Sequence, residues 1–433
     1  MKTFFTINLG CKVNLFETNA ITYQLVQKGF KHVTNIDKAN IVLINTCSVT
    51  NKADAKSRNM INRAKQAKLK PIVLVMGCFS QVNKQWFKEN KVDIVIGTKY
   101  KNKIVDYLQK YLKNHKSINK IDQNIKTFEE FPCFKHLDNT RAFLKIQDGC
   151  NFYCSYCLIP YCRGHQRAMK HQHVLQAIKT YVKQGYKEIV LTGVNTAGYK
   201  DGQYTFYNLL QDIDKLPGKF RIRISSLEPF QISKKIIDLL ANNPSRWANQ
   251  IHLCLQSANN DVLKAMNRKY TINEFINLVN YIKKKMKNVA ITTDYIVAFG
   301  NETQKQFNES LKNLKVIKFA NMNIFIYSRR KGTVADKKYK DNINPLIARE
   351  RYNQVNDLRL SCQKKYLQSL IGKTLEVIVE RSTTPMTHGY SSEFVKVVFN
   401  SKKNLHTQLV KVKITKLAQD NQGYYLVGQK NSH

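Results

Sequence analysis

The sequence has no uninterrupted apolar run near the roughly 18 residues that a membrane span requires. Its longest apolar stretches, such as Ile41–Ile44, are strand-sized. It also lacks a convincing export signal. The opening MKTFFTINLGC imitates a lipoprotein leader, but its apolar core is too short and polar Asn8 stands where a small or apolar residue is wanted before Cys11. No membrane and a cytoplasmic location are therefore expected. Acidic residues are scarce: 30 Asp+Glu face 71 Lys+Arg, a formal net charge of +41. Such an excess implies an anionic partner, with nucleic acid the first candidate. Most of the basic residues are Lys in a chain also rich in Asn and Ile, so compositional bias shares the credit and charge alone does not name the partner. Internal repeats and low-complexity blocks are absent too. What remains is ordinary globular composition, 43% hydrophobic and 10% aromatic, which excludes wholesale disorder. A chain of 433 residues suggests about three domains.

Short β-branched runs at Thr3–Leu9, Ile41–Ile44, Ile72–Met76 and Val92–Ile96 alternate with helix-like stretches such as Glu17–Lys28 and Ala53–Lys68. This alternation predicts a parallel, Rossmann-like sheet over residues 1–110. Residues 111–138 are charged and weakly periodic, and read as a linker. Over 139–369 the alternation resumes with strands at Phe143–Gln147, Glu188–Leu191, Arg221–Ser225, Ile251–Leu255, Ala290–Val297 and Met322–Tyr327. At least six βα units predict a full or partial TIM-like barrel. Over 370–433 short strands follow one another without helices, which predicts a small all-β barrel. The fold class is α/β with that barrel appended.

Ten cysteines in a chain read as cytosolic point to metal or catalysis rather than disulfides. Cys150, Cys154 and Cys157 form CxxxCxxC in DGCNFYCSYCLIPYCRG, directly after the strand RAFLKIQ. Three thiolates on one loop suit three irons of a 4Fe–4S cluster, leaving the fourth iron open to a cofactor or substrate. Zinc is the competing reading, although it usually takes two ligands from each of two segments. Cys11, Cys47 and Cys78 each follow one of the first three predicted strands, in TFFTINLGC, IVLINTC and IVLVMGC. In a parallel sheet those ends share one edge, so a second metal site is expected there. Three ordinary buried thiols are the alternative.

CxxxCx(aromatic)C after a strand resembles the radical S-adenosyl-L-methionine (SAM) enzymes. The two trios together resemble the methylthiotransferase family within them, over nearly the whole chain. LGCKVN (Leu9–Asn14), INTCSVTN (Ile44–Asn51), GCFSQ (Gly77–Gln81), KEIVLTGVNTAGY and RIRISSLE look most like the branch acting on threonylcarbamoyl-adenosine in tRNA. The branch acting on isopentenyl-adenosine typically reads YGCQMN at the first site. The resemblance implies two 4Fe–4S clusters, on Cys11, Cys47 and Cys78 and on Cys150, Cys154 and Cys157. It also implies SAM, and methylthiolation at C2 of the modified adenine just 3′ of the anticodon by a radical route that needs no catalytic His or Glu. Carried over by position, Tyr156, Gly193, Ser225, Glu228, Gln256 and Asp294 would contact SAM. The implied partners are tRNA and an electron donor such as flavodoxin or ferredoxin, and the implied tail is an RNA-binding TRAM domain. On that tail Lys373, Arg381, Lys396, Lys411, Lys413 and Lys416 supply charge, while Tyr390, Phe394 and Tyr425 stack on bases or, more in keeping with such rings, fill the core.

The chain departs from the family pattern in places. AFGNET at Ala298–Thr303 replaces GFPGET, and QSAN at Gln256–Asn259 replaces QSGS. Cys162 adds a fourth thiol beside the radical loop and reads as a bystander, while Cys133, Cys254 and Cys362 read as free thiols. The competing functions are methylthiolation of isopentenyl-adenosine or of a ribosomal-protein aspartate and, from another class, a non-catalytic zinc and RNA-binding protein.

Overall fold

The computed structural model describes residues 2–135, 140–339, 343–383, 385–421 and 423–430. Residues 136–138 of the expected linker and 431–433 of the expected tail lie outside them. Six parallel strands, β1 (Thr3–Asn8), β2 (Lys31–His32), β3 (Ile41–Thr46), β4 (Ile72–Gly77), β5 (Ile94–Ile96) and β6 (Ile118–Lys120), form one sheet in the order β2-β1-β3-β4-β5-β6. Every residue of β3 is buried, as expected of a parallel strand covered on both faces. The crossovers include α1 (Lys12–Gln27) and α2 (Asn51–Gln66), the latter capped by the Thr50 hydroxyl, which accepts the Ala53 N–H at 3.1 Å.

The stretch read as a linker contributes to this fold. β6 pairs with β5, and beyond it Phe131 and Phe134 are buried against Phe16 of α1. Such anchors are single aromatics in irregular chain, so they leave no periodic trace.

Strands Ala142–Lys145, Glu188–Thr192 and Arg221–Ile224 form one parallel sheet, and Gln250–His252, Ala290–Val297 and Asn321–Ile326 another. Parallel bridges Ile222↔Trp247 and Leu227↔Leu253 join them into a six-strand partial barrel. One apolar core runs from Phe4, Phe16 and Ile21 of the N-terminal sheet layer to Leu144, Ile189 and Ile291 of the barrel. The helix Pro345–Gln368, with Asn344 as its cap and Pro345 in its first turn, then leads to a closed five-stranded barrel with its own core. That barrel includes a strand unforeseen in the sequence, Met386–Ser391.

The C-terminal barrel plugs the floor of the partial barrel. At the strand starts Arg141, Arg221 and Arg223 share the buried Glu188 at 3.1, 2.6 and 2.7 Å. Arg141 also reaches Glu380 at 2.8 Å, and Arg221 reaches Glu376 at 3.3 Å. Against the upward push of burial, these arginines hold the Glu188 carboxyl well below its ordinary range. Tyr390 and Phe394, stacked at 5.0 Å, lie under Arg141 and Arg223. These two rings therefore serve the interface between domains rather than the core of the small barrel, and Phe394 keeps an exposed face toward the cavity. Among the described residues no helix is long and apolar enough to cross a membrane.

Candidate active site

Register places the first trio. β1, β3 and β4 are neighbours, with Asn8 opposite Asn45 and Thr46 opposite Gly77, so Cys11, Cys47 and Cys78 leave the sheet along one edge. Gly77 makes the last turn possible: its φ is 110° and a Cβ there would stand 2.5 Å from the Thr46 carbonyl oxygen. A hydrogen-bonded knot ties the loops together. Asn14 donates to Asn45 Oδ1 at 2.8 Å and to the Thr46 carbonyl at 3.0 Å, while its own Oδ1 accepts from Arg163 at 2.8 Å and from the Cys11 thiol at 3.4 Å. Burial, with Cys78 and Cys11 nearby, pushes the Cys47 thiol up to about 12. A hydrogen bond from Cys162, helped by Arg163 and Lys101, pulls Cys78 down to about 6.

The second trio is local. Gly149 (φ 73°) and Tyr153 (φ 47°) fold the chain back on itself, and a Cβ on Gly149 would lie 2.1 Å from the His165 carbonyl oxygen. Burial pushes Cys150 up to about 11, and raises Cys154 and Cys157 as well. Arg268 Nη1 approaches Cys154 Sγ at 3.2 Å, and the Ile159 N–H points at Cys157 Sγ at 3.4 Å. Each trio thus sets soft sulfur donors on one edge or loop beside N–H groups and cations, a donor set that fits an iron–sulfur cluster, whose iron would displace the thiol protons that burial otherwise retains at Cys47, Cys150, Cys154 and Cys157.

Cys162 lies between the trios. Its thiol rests against Cys78, 3.9 Å from that residue's carbonyl oxygen, and Cys157 is close enough to perturb it. It belongs with the N-terminal trio as much as with the loop it follows, a neighbour that sequence distance hid.

The N-terminal layer is clamped over the barrel mouth by buried charges. Glu17 receives Lys101 at 2.5 Å and Lys145 and Arg163 at 3.2 Å, and Arg163 also holds Asp148 at 2.9 Å. Against burial, Arg163, Lys101 and Lys145 hold the Glu17 carboxyl far below its usual range. On the other side Arg330, in the loop after the last barrel strand, holds Asp54 at 2.6 Å and Ser48 at 3.0 Å.

Between mouth and floor lies a cavity of about 400 Å³, a usual size for a ligand site. Its lining includes Cys11 and Lys12 from above, Gly193 and Ser225 from strand ends, Asp294 from within the strand Ala290–Val297, and Phe394 from below. Three of the six expected SAM contacts thus share one wall. The others do not line it. Glu228 is ion-paired to Arg268, linking it to Cys154. Gln256 stands at φ 64° with its backbone N–H on the Asp294 carbonyl at 2.9 Å. Tyr156 joins an aromatic cluster, 6.1 Å from Phe299. Arg268, Arg163 and Lys101 escaped sequence reading, since a lone basic residue among 71 carries no mark of burial. In the altered segments Ala298 adopts φ 60°, which glycine would tolerate more easily, while Asn259 caps the next helix by accepting the Asp261 and Val262 N–H groups.

These features define the class: a radical SAM barrel beneath a cysteine-bearing α/β layer. The description "Radical SAM superfamily" matches residues 144–314, and "Uncharacterized protein family UPF0004" matches residues 3–97. The threonylcarbamoyladenosine tRNA methylthiotransferase MtaB of Bacillus subtilis (strain 168) is 36% identical over 96% of this chain and 94% of its own. The tRNA-2-methylthio-N(6)-dimethylallyladenosine synthase of Staphylococcus haemolyticus (strain JCSC1435) is 32% identical over 96% of this chain and 84% of its own. Among solved structures, the radical SAM methyltransferase TsrM of Kitasatospora setae shares the fold with a TM-score of 0.54, at 12% identity, over 75% of this chain and 73% of that one. The chain belongs to the radical SAM tRNA methylthiotransferase family. Its members use SAM and two 4Fe–4S clusters.

Proposed function

We propose that the protein methylthiolates C2 of N6-threonylcarbamoyladenosine beside the tRNA anticodon, giving 2-methylthio-N6-threonylcarbamoyladenosine. The observation that carries this reading is the shared cavity: Cys11 of one trio and the barrel residues Gly193, Ser225 and Asp294 form its walls. The relative's name supplies the substrate. In this reading Cys150, Cys154 and Cys157 hold the cluster that serves SAM, and Cys11, Cys47 and Cys78 hold the second. Clusters and SAM, when bound, supply one-electron chemistry for an aromatic C–H bond that is too strong and too weakly acidic for side-chain acids and bases. The chain's own residues do the rest. Arg268 offsets charge at Cys154 and orients Glu228; Asn14 and Arg163 fix the three loops of the assembled trio; Gly193, Ser225 and Asp294 contact SAM. The Glu17 and Arg330 clamps keep the mouth covered and water out. Tyr156, Glu228 and Gln256 complete the SAM site from outside the cavity wall. Exposed Arg381, Lys411, Lys413 and Lys416 bind tRNA phosphates, in the cytoplasm, with a flavodoxin- or ferredoxin-like protein as electron donor.

The test is mass spectrometry of tRNA nucleosides from cells with and without the intact gene. Loss of methylthio-threonylcarbamoyladenosine, restored by wild type but not by Cys11→Ala or Cys154→Ala, is expected. Loss of the methylthio-isopentenyl nucleoside instead would reassign the substrate. A colourless purified protein unaffected by iron and sulfide would point to zinc.

A further inference from the structure

Lys12 is a charged group of the cavity wall that the chemistry above leaves unused. It follows Cys11, opens α1 and lines the cavity, where it stays accessible and forms no hydrogen bond or salt bridge among the described residues. The nearby carboxylates make no hydrogen bond or ion pair with it. Asp294 is held by His252 at 3.3 Å and by Asn323 at 2.9 Å, and Glu188 is shared by three arginines. Arg141 and Arg223 add further positive charge below. The cysteine trio has cations of its own in Arg163 and Lys101. Lys12 is therefore an ammonium with no bonded counter-anion inside a cavity, with only the field of Asp294 and Glu188 to answer it, and an anionic ligand group is the partner that such a site favours.

The rest of the wall says what kind of ligand. The Asn321 amide nitrogen and the Ser226 hydroxyl also line the cavity with no partner among the described residues. An ammonium, an amide and a hydroxyl match a carboxylate with neighbouring polar atoms, and suit an apolar dimethylallyl group poorly. We propose that Lys12 recognises the carboxylate of the threonylcarbamoyl group on the substrate base and so selects that base over one carrying an apolar substituent. This rests on the substrate assigned above. The same ammonium chemistry would also fit the methionine carboxylate of SAM, so the test separates the two sources.

With both clusters reconstituted, wild type, Lys12→Met and Lys12→Arg are compared for binding of three anticodon stem-loop RNAs. These carry threonylcarbamoyl-adenosine, its methyl ester or dimethylallyl-adenosine at the same site; SAM affinity and iron content are measured alongside. Wild type should prefer the free acid over its ester by about tenfold or more, the range of a hydrogen bond to a charged group. Lys12→Met should reduce that ratio to near unity while Lys12→Arg keeps most of it. Retention of the full preference in Lys12→Met overturns the proposal. So does a loss confined to SAM affinity, a uniform loss over all three RNAs, or a fall in iron content. Wild type that neither binds nor methylthiolates the threonylcarbamoyl RNA removes the substrate assignment itself, a result the Lys12 variants do not mimic.

Discussion

The two cysteine trios reach similar donor sets by opposite means. Cys150, Cys154 and Cys157 lie within one turn of loop, shaped by the left-handed residues Gly149 and Tyr153. Cys11, Cys47 and Cys78 come from three separate crossovers and meet only because β1, β3 and β4 are neighbours in register. The local trio answers to backbone geometry at a few positions. The assembled trio answers to everything that holds the sheet, α1 and the barrel mouth together, including Arg163, which the radical loop's own helix supplies.

The sharpest way to break this comparison is to remove one ligand from each set. Cys47→Ala and Cys154→Ala should each abolish methylthiolation and each lose about half of the bound iron, since each cluster needs its three thiolates. Loss of all iron in either variant, by iron and sulfide analysis, would show that the sites do not assemble independently. Glu17→Gln should come next, removing the anion from beneath Lys101, Lys145 and Arg163. Breaking a buried cluster of this kind costs about 3–5 kcal/mol, and the assembled trio should lose iron first. The acid limb of stability tests the same group. Its folded pKa lies below the unfolded one, so its stabilisation is full above about pH 5 and is lost progressively as pH falls further. Denaturant melts against pH should show a shallower acid decline in Glu17→Gln than in wild type.

Gly149→Ala makes the reciprocal test. The forbidden approach to the His165 carbonyl and the left-handed φ should cost about 1–3 kcal/mol locally. The CxxxCxxC cluster should be lost while the other persists, a distinction visible by electron paramagnetic resonance. The smallest effect is expected from Lys411→Ala, Lys413→Ala and Lys416→Ala together. These should leave both clusters intact, weaken tRNA binding and flatten its salt dependence by up to about 0.9 in slope for each phosphate no longer neutralised.

Strand-end placement of Cys11, Cys47 and Cys78 was legible because parallel strands announce themselves as β-branched runs and each thiol follows one. The six-strand barrel was legible for the same reason. The cations that set the trios' surroundings were not. Lys101 and Lys145 have no exposed side-chain surface, yet in sequence they are two lysines in a lysine-rich chain. Burial of charge is decided by partners far along the chain, as Lys145 and Glu17 show, 128 residues apart. Phe394 and Tyr390 were misjudged for a related reason. Their place depends on arginines of another domain, and neither the alternation around Tyr390 in its strand nor the turn that carries Phe394 holds a trace of that.

The Glu17 cluster also imposes a timetable. During synthesis the N-terminal sheet and Lys101 emerge before Lys145 and Arg163 exist, so for a span of translation the carboxylate has one cation in place of three. At about 5–20 residues per second that interval lasts seconds. The edge bearing Cys11, Cys47 and Cys78 is then a half-finished surface on the ribosome, and its final form waits for the segment that carries the second trio.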